Sequence, residues 1–286
     1  MKALENKTTL AEFQSALKED GCYRSNPAHV APVRRAPGAW PTFLFSLAVT
    51  RVFPFCAVAE ALRRLDTHRW AEFCFSTVTI AERFGMNVSV EGFAARRDYR
   101  GPVMYLANHL STYETIALPP ILLAFGPFSF VAKQSLAHLP ALARAADHMG
   151  MIGIGRKNPK ADLLKLYDVG LKRIQRGDSF LIFPQGTRQE VFSRRHFSSI
   201  GAKLAEKAGI PVVPIAVDTR CMPTRKTGML KGIFKDFGPV DTSKDVRIAA
   251  GPLIPAGKAR EMHEASFGWI ADKLESWGIP VERKEN

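Results

Sequence analysis

From Met86 onward, short apolar runs alternate with longer amphipathic stretches. The runs NVSVEGF (87–93), PVMYLAN (102–108), FSFVAK (128–133), MIGIGR (151–156), SFLIFPQ (179–185), PVVPIAV (211–217) and VRIAAGPLI (246–254) are rich in Val, Ile and Phe. Each predicts a strand. Between them, 115–123, 161–175, 201–208 and 259–277 space their apolar residues as helices do. Strand and helix in alternation predict an α/β domain over 86–286, with a mixed, largely parallel sheet flanked by helices.

The pattern ahead of Met86 is different. Residues 40–61, WPTFLFSLAVTRVFPFCAVAEA, are almost continuously apolar. A bilayer span needs about 20 such residues, and this run has the length. Arg51 stands near its middle, Pro54 follows and Glu60 closes it. An arginine at mid-membrane costs about 2.5 kcal/mol or more. The run is therefore read as a helix in the membrane interface or against the domain, with a single span at 40–61 as the alternative. A second, partly amphipathic helix is expected over 68–84, so 39–85 predicts an N-terminal helical pair that associates with a membrane. Residues 1–38 end in the turn-rich cluster APVRRAPG. They predict a leader that is poorly ordered or loosely docked.

Charge adds a partner class. Forty Lys and Arg against 27 Asp and Glu give a net charge of +13. Such a surplus points to an anionic partner. The basic residues are scattered in pairs such as Arg63/Arg64 and Arg96/Arg97, with no basic arm and no nucleic-acid motif. An anionic membrane surface fits this distribution better than nucleic acid. The four cysteines are far apart and form no C-x-x-C or zinc spacing. The chain opens without a cleavable signal pattern. His138, His148, His196 and His263 also lack metal spacing, so no metal site is expected.

Two places carry candidate chemistry. The strand 102–108 ends in Asn108-His109, followed by LSTYE. Functional groups collect where strands of an α/β sheet end. On a regular helix, positions five apart point about 140° away from each other. His109 and Glu114 meet only if the histidine lies in the strand-to-helix turn and the glutamate in the first helical turn. The imidazole would then be a general base oriented by a carboxylate. Ser111-x-x-Glu114 is equally a helix capping box, a purely structural use of the same residues. The second place is Phe183-Pro184-Gln185-Gly186-Thr187-Arg188 after the strand at 179–182. Glycine allows close backbone approach, and the arginine offers a planar fork to an anion. An ordinary turn with a solvated arginine accounts for it too. GMIGIGRK approaches a P-loop, but Arg156 and Lys157 stand where Lys and Ser/Thr are needed, so nucleotide binding is not expected. No G-x-S-x-G elbow and no H-E-x-x-H occur.

The order of these segments is more specific than any one of them. NHLSTYE (108–114), FVAKQSLAHLP (130–140), GMIGIGR (150–156), FPQGTR (183–188) and VVPIAV (212–217) together resemble the glycerolipid acyltransferase family, the 1-acylglycerol-3-phosphate acyltransferases and their relatives. The likeness covers about 85–255. It implies His109 as base and Glu114 as its orienting acid. It implies substrate contacts from Asn108, Lys133, Arg156, Phe183, Pro184, Gln185, Gly186, Thr187 and Arg188, with Pro214 in a fourth block associated with acyl-donor binding or shape. It implies acyl transfer from acyl-CoA or acyl-carrier protein to a lysophospholipid hydroxyl, with 1-acylglycerol-3-phosphate the first candidate, without cofactor, in phospholipid biosynthesis. The expected place is the cytoplasmic face of a membrane, peripheral or monotopic. Glu114 stands where the family has Asp, and Gln185 where it has Glu. The second departure removes a charge beside the proposed anion site and leaves other acceptors open: a lyso-ornithine lipid, a glycolipid or an amine. A catalytically inactive membrane-binding protein is the remaining alternative.

Overall fold

The computed structural model describes residues 8–32, 39–134, 150–155, 158–222 and 240–284. Lys133 lies within them, whereas Arg156, His138 and His148 lie outside.

Among the described residues, eight strands form one mixed sheet: β1 (Tyr23–Arg24), β2 (Val88–Glu91), β3 (Met104–Ala107), β4 (Phe128–Lys133), β5 (Met151–Ile154), β6 (Ser179–Ile182), β8 (Val212–Asp218) and β9 (Val246–Ala250). Their order is β1-β2-β9-β8-β3-β6-β4-β5. The block β8-β3-β6-β4-β5 is parallel throughout. β9 runs antiparallel to β8, β2 follows β9, and β1 reverses again. All five parallel strands therefore end at the same edge, where loops are free to carry function. A separate small sheet pairs β7 (Phe192–Ser193) with β10 (Val281–Glu282).

Period-2 side-chain alternation divides the core between the two faces of the sheet. Tyr105 and Ala107 of β3, with Leu181, Val213, Ile215 and Val217, pack with α1 (Leu10–Glu19), α4 (Thr67–Arg83) and α6 (Tyr113–Leu122). Met104 and Leu106, with Phe180, Ile182 and Val212, pack with α7 (Pro159–Gln175), α8 (Ile200–Ala208) and one end of α9 (Ala259–Ser276). The rest of α9 buries Phe267, Ile270, Ala271 and Leu274. The result is a three-layer α/β/α arrangement.

Two expectations need correction ahead of the catalytic segment. Residues 8–32 are not loosely docked. Thr9 and Glu12 form a capping box that starts α1, and Phe13 and Leu17 are fully buried. β1 then extends the sheet along β2. Buried Glu82 on α4 accepts hydrogen bonds from Tyr23 Oη and Ser25 Oγ, both at 2.8 Å, and pins the segment. Leu10, Phe13 and Leu17 already show helical spacing, so the signal was present in the sequence. The expected helical pair is three helices: α2 (Ala39–Thr50), α3 (Val52–Ala61) and α4. The apolar run breaks at Arg51. Pro54 lies in the next turn and has no N–H to donate back to the carbonyl of Thr50.

Candidate active site

β3 delivers Asn108 and His109 to the common strand-end edge. Asn108 is fully buried. Its amide Nδ2 donates to the Val217 carbonyl at 2.9 Å, and its Oδ1 accepts from the Val217 N–H at 2.7 Å. That pairing clamps β3 to β8 beyond the last ladder bond. Asn108 is thus a strut under the site rather than the substrate contact expected for it.

The chain then turns into α6. Glu114 lies in the first helical turn and is completely buried. Its Oε1 faces His109 Nδ1 at 2.9 Å and accepts the N–H groups of Leu110 and Ser111, each at 2.7 Å. Its Oε2 accepts the hydroxyls of Ser111 at 2.6 Å and Thr219 at 2.7 Å. The capping box that Ser111-x-x-Glu114 offered is not formed, because the N-cap is Thr112 and the Ser111 hydroxyl donates to the carboxylate. The carboxylate still accepts two backbone N–H groups ahead of the helix, so its structural and chemical uses coexist. Burial pushes the Glu114 carboxyl upward. Hydrogen bonds from His109, Ser111 and Thr219, with the attraction of a charged His109, outweigh it and hold the group below its ordinary range.

An ionised Glu114 accepts a hydrogen bond from Nδ1–H, leaving His109 Nε2 as the basic nitrogen. The imidazole side chain is 15% exposed, so it is held firmly but reachable. The Phe183 ring stacks on it, with centroids 4.4 Å apart. Phe183 therefore packs the base, a role its place among the expected substrate contacts did not suggest.

The 183–188 segment leaves β6, the strand beside β3. Gln185 Oε1 accepts the backbone N–H of His109 at 2.7 Å, and the Gln189 N–H donates to the His109 carbonyl at 2.9 Å. Arg188 donates to Thr112 Oγ1. Three bonds thus stitch the loop to the histidine turn. Gln185 and Pro184 are buried, and Gln185 Nε2 has no hydrogen-bond partner among the described residues. Gly186 has φ of 66°, the left-handed region glycine tolerates, and it stands exposed with Thr187. Lys133 reaches the same edge of the sheet at the exposed end of β4.

Thr219 had no place in the sequence reading. It lies just past β8, 105 positions from Glu114, and no local pattern joins the two. Cys221, two residues further, is fully buried. Burial and the nearby charges of Asp218 and Glu114 push its thiol far up, so it stays protonated and is no nucleophile.

Residues 87–218 match the acyltransferase family model. Over that stretch the chain is similar to the acyltransferase family. The match takes in His109, Glu114 and the whole 183–188 loop. The 1-acyl-sn-glycerol-3-phosphate acyltransferase of Pseudomonas aeruginosa is 33% identical over 177 residues, 62% of this chain and 64% of that relative. The chloroplastic enzyme LPAT1 of Arabidopsis thaliana is 28% identical over 198 residues, 68% of this chain and 52% of its own length. A lyso-ornithine lipid O-acyltransferase of P. aeruginosa is 30% identical over 133 residues, 46% of this chain and 48% of the relative. The chain thus spans about half to two thirds of these curated relatives. The acyltransferase fold is also that of the crystallised 1-acyl-sn-glycerophosphate acyltransferase PlsC from Thermotoga maritima. That likeness has a TM-score of 0.56 at 18% identity and covers 83% of this chain and 98% of the other.

Proposed function

We propose that this protein transfers a fatty acyl group from a thioester donor to the hydroxyl of a lysolipid at a membrane surface. The observation that carries the reading is a reachable imidazole backed by a buried, five-fold bonded carboxylate, set in a stretch similar to the acyltransferase family. His109 Nε2 removes the proton as the acceptor hydroxyl attacks the thioester carbonyl. Glu114 stabilises the imidazolium that forms. Collapse of the tetrahedral intermediate breaks the C–S bond, and the imidazolium returns the proton to the departing thiolate. No enzyme nucleophile is needed, in keeping with the protonated state of Cys221.

The first candidate acceptor is 1-acylglycerol-3-phosphate, with acyl-CoA or acyl-carrier protein as donor. Arg188, Thr187 and Lys133 supply cationic and hydroxyl groups for its phosphate along one sheet edge, and Arg156 is the fourth candidate. Two observations favour keeping a lyso-ornithine lipid as second acceptor: the likeness to an enzyme of that name and the neutral Gln185.

Membrane contact falls to α2 and α3. Seven of the eight exposed large apolar side chains among the described residues lie at 40–62, including Trp40, Phe43, Leu47, Phe55 and Val58. The same helices bury Phe45, Val49, Val52 and Cys56 against the domain. One side docked on protein and the other apolar side open suits a helix pair lying in the interface rather than a span.

The test is thiol release from acyl-CoA with a panel of lysolipid acceptors. Wild type is expected to turn over at least one phosphorylated lysolipid. His109→Ala is expected to lose about 10²–10⁴-fold in rate while remaining folded. Full activity in that variant would reject the reading.

A further inference from the structure

Glu114 Oε2 is held entirely by two hydroxyls, and they come from different parts of the chain. Ser111 belongs to the histidine turn. Thr219 follows β8 and is fully buried, with its Oγ1 2.7 Å from the carboxylate and 3.0 Å from Ser111 Oγ. Each hydroxyl has one hydrogen. Thr219 gives its hydrogen to Oε2, and Ser111 Oγ lies within donating reach of both Oε2 and Thr219 Oγ1, while Oε1 is the oxygen that faces His109. We propose that Thr219 is a positioning residue for the His109–Glu114 pair, an inference that rests on the acyl-transfer reading above. Its hydroxyl keeps the carboxylate ionised and rotationally locked, so that the imidazole presents Nε2 in one orientation.

The contact also rationalises the longer side chain. Glu114 bridges the β3 turn and the end of β8, touching His109 on one side and Thr219 on the other. An aspartate is one C–C bond, about 1.5 Å, shorter. From the same backbone it cannot keep both contacts.

Other charged and titratable groups near the carboxylate do not duplicate this role. Asp218 is locked to Arg220 and Arg247. Cys221 is protonated. Arg188 is turned to Thr112. Tyr113 donates its hydroxyl to the Thr77 carbonyl of α4, and Glu82 on that helix is occupied by Tyr23.

Removing one hydroxyl leaves a more basic carboxylate behind the imidazole, which favours the protonated base. Thr219→Val, nearly isosteric, is expected to lower kcat roughly 10- to 100-fold with KM little changed. The acid limb of its pH–rate profile moves up by about one unit. Thr219→Ser restores both. A second readout needs no turnover: the low-field Nδ1–H proton resonance of His109 in the resting protein, assigned by its loss in His109→Ala. It is expected to move in Thr219→Val and return in Thr219→Ser. An unmoved resonance and pH profile in folded Thr219→Val would overturn the proposal. So would failure of Thr219→Val to fold where Thr219→Ser folds, because the hydroxyl would then be structural. If the protein catalyses no acyl transfer, the resonance still decides Thr219's effect on the pair, and the two ideas fail separately.

Discussion

At the scale of single residues, five hydrogen-bond donors converge on one buried carboxylate. That arrangement suits an anion and nothing else: a neutral amide at 114 would set an NH2 group against donors. Glu114 also makes stability depend on pH. Its folded-state pKa lies below the ordinary glutamate value of about 4.3, so its ionised form stabilises the fold above that value. The contribution is lost as pH falls through the folded value. Thermal unfolding midpoints measured from pH 7 down to 3 should fall less steeply in Glu114→Gln than in wild type, from a lower start at neutral pH. The same variant should lose activity about as severely as His109→Ala, since the imidazolium would have no countercharge. Gln185 is a different case. One end of its amide holds the His109 backbone and the other is buried with no partner among the described residues, and a buried donor left unsatisfied costs about 1–3 kcal/mol. The departure from the family's glutamate removes a second negative charge from the turn that already holds Glu114.

At the scale of elements, the site depends on how closely strands and helices approach. Gly92 follows β2 with φ of 82°, and a Cβ there would meet the Ala250 carbonyl oxygen at 2.0 Å. Both the backbone conformation and the contact forbid a side chain. Gly92→Ala should destabilise by roughly 2–4 kcal/mol, read as a lower urea midpoint. In α8, Gly201 lets the helix lie against Leu106 of β3, so the histidine strand is backed closely from the second face. The short α6 contains Pro119 and Pro120 and buries every residue but Thr115, and Gln14 of α1 donates to the Pro120 carbonyl at 3.0 Å. The N-terminal segment is therefore part of the layer that supports the Glu114 helix. Its capping box and 3–4 spacing were legible in the sequence. What hid its docking was the turn-rich stretch after it, which reads as a boundary.

At the scale of the whole molecule, two features bear on the membrane: exposed apolar side chains gather at 40–62, and the chain carries a net charge of +13. Hydrophobic insertion and attraction to anionic lipid should act together, so binding to vesicles containing phosphatidylglycerol should weaken with salt without vanishing. Leu47→Glu with Phe55→Glu places two charges on the exposed apolar face. Sedimentation with such vesicles should fall at least tenfold, while thiol release with a short-chain, water-soluble acceptor stays close to wild type. Unchanged sedimentation would move the membrane contact elsewhere.

Local periodicity was enough for the strand runs, the α/β class and the two loops that carry chemistry, because strand and helix repeats and glycine turns are properties of neighbouring residues. It also pointed to Glu114, provided a turn intervened between it and His109. The order of the strands and the antiparallel β9 depended on which surfaces pack, and no window of sequence contains that information. The same holds for the finer make-up of the site. Asn108 became a strut, Phe183 a stacking partner and Thr219 a carboxylate ligand only when β3, β6 and β8 lay side by side. Folding brings Thr219 to Glu114 across 105 positions and Val217 to Asn108 across 109, and the donors around a buried charge are chosen by that proximity.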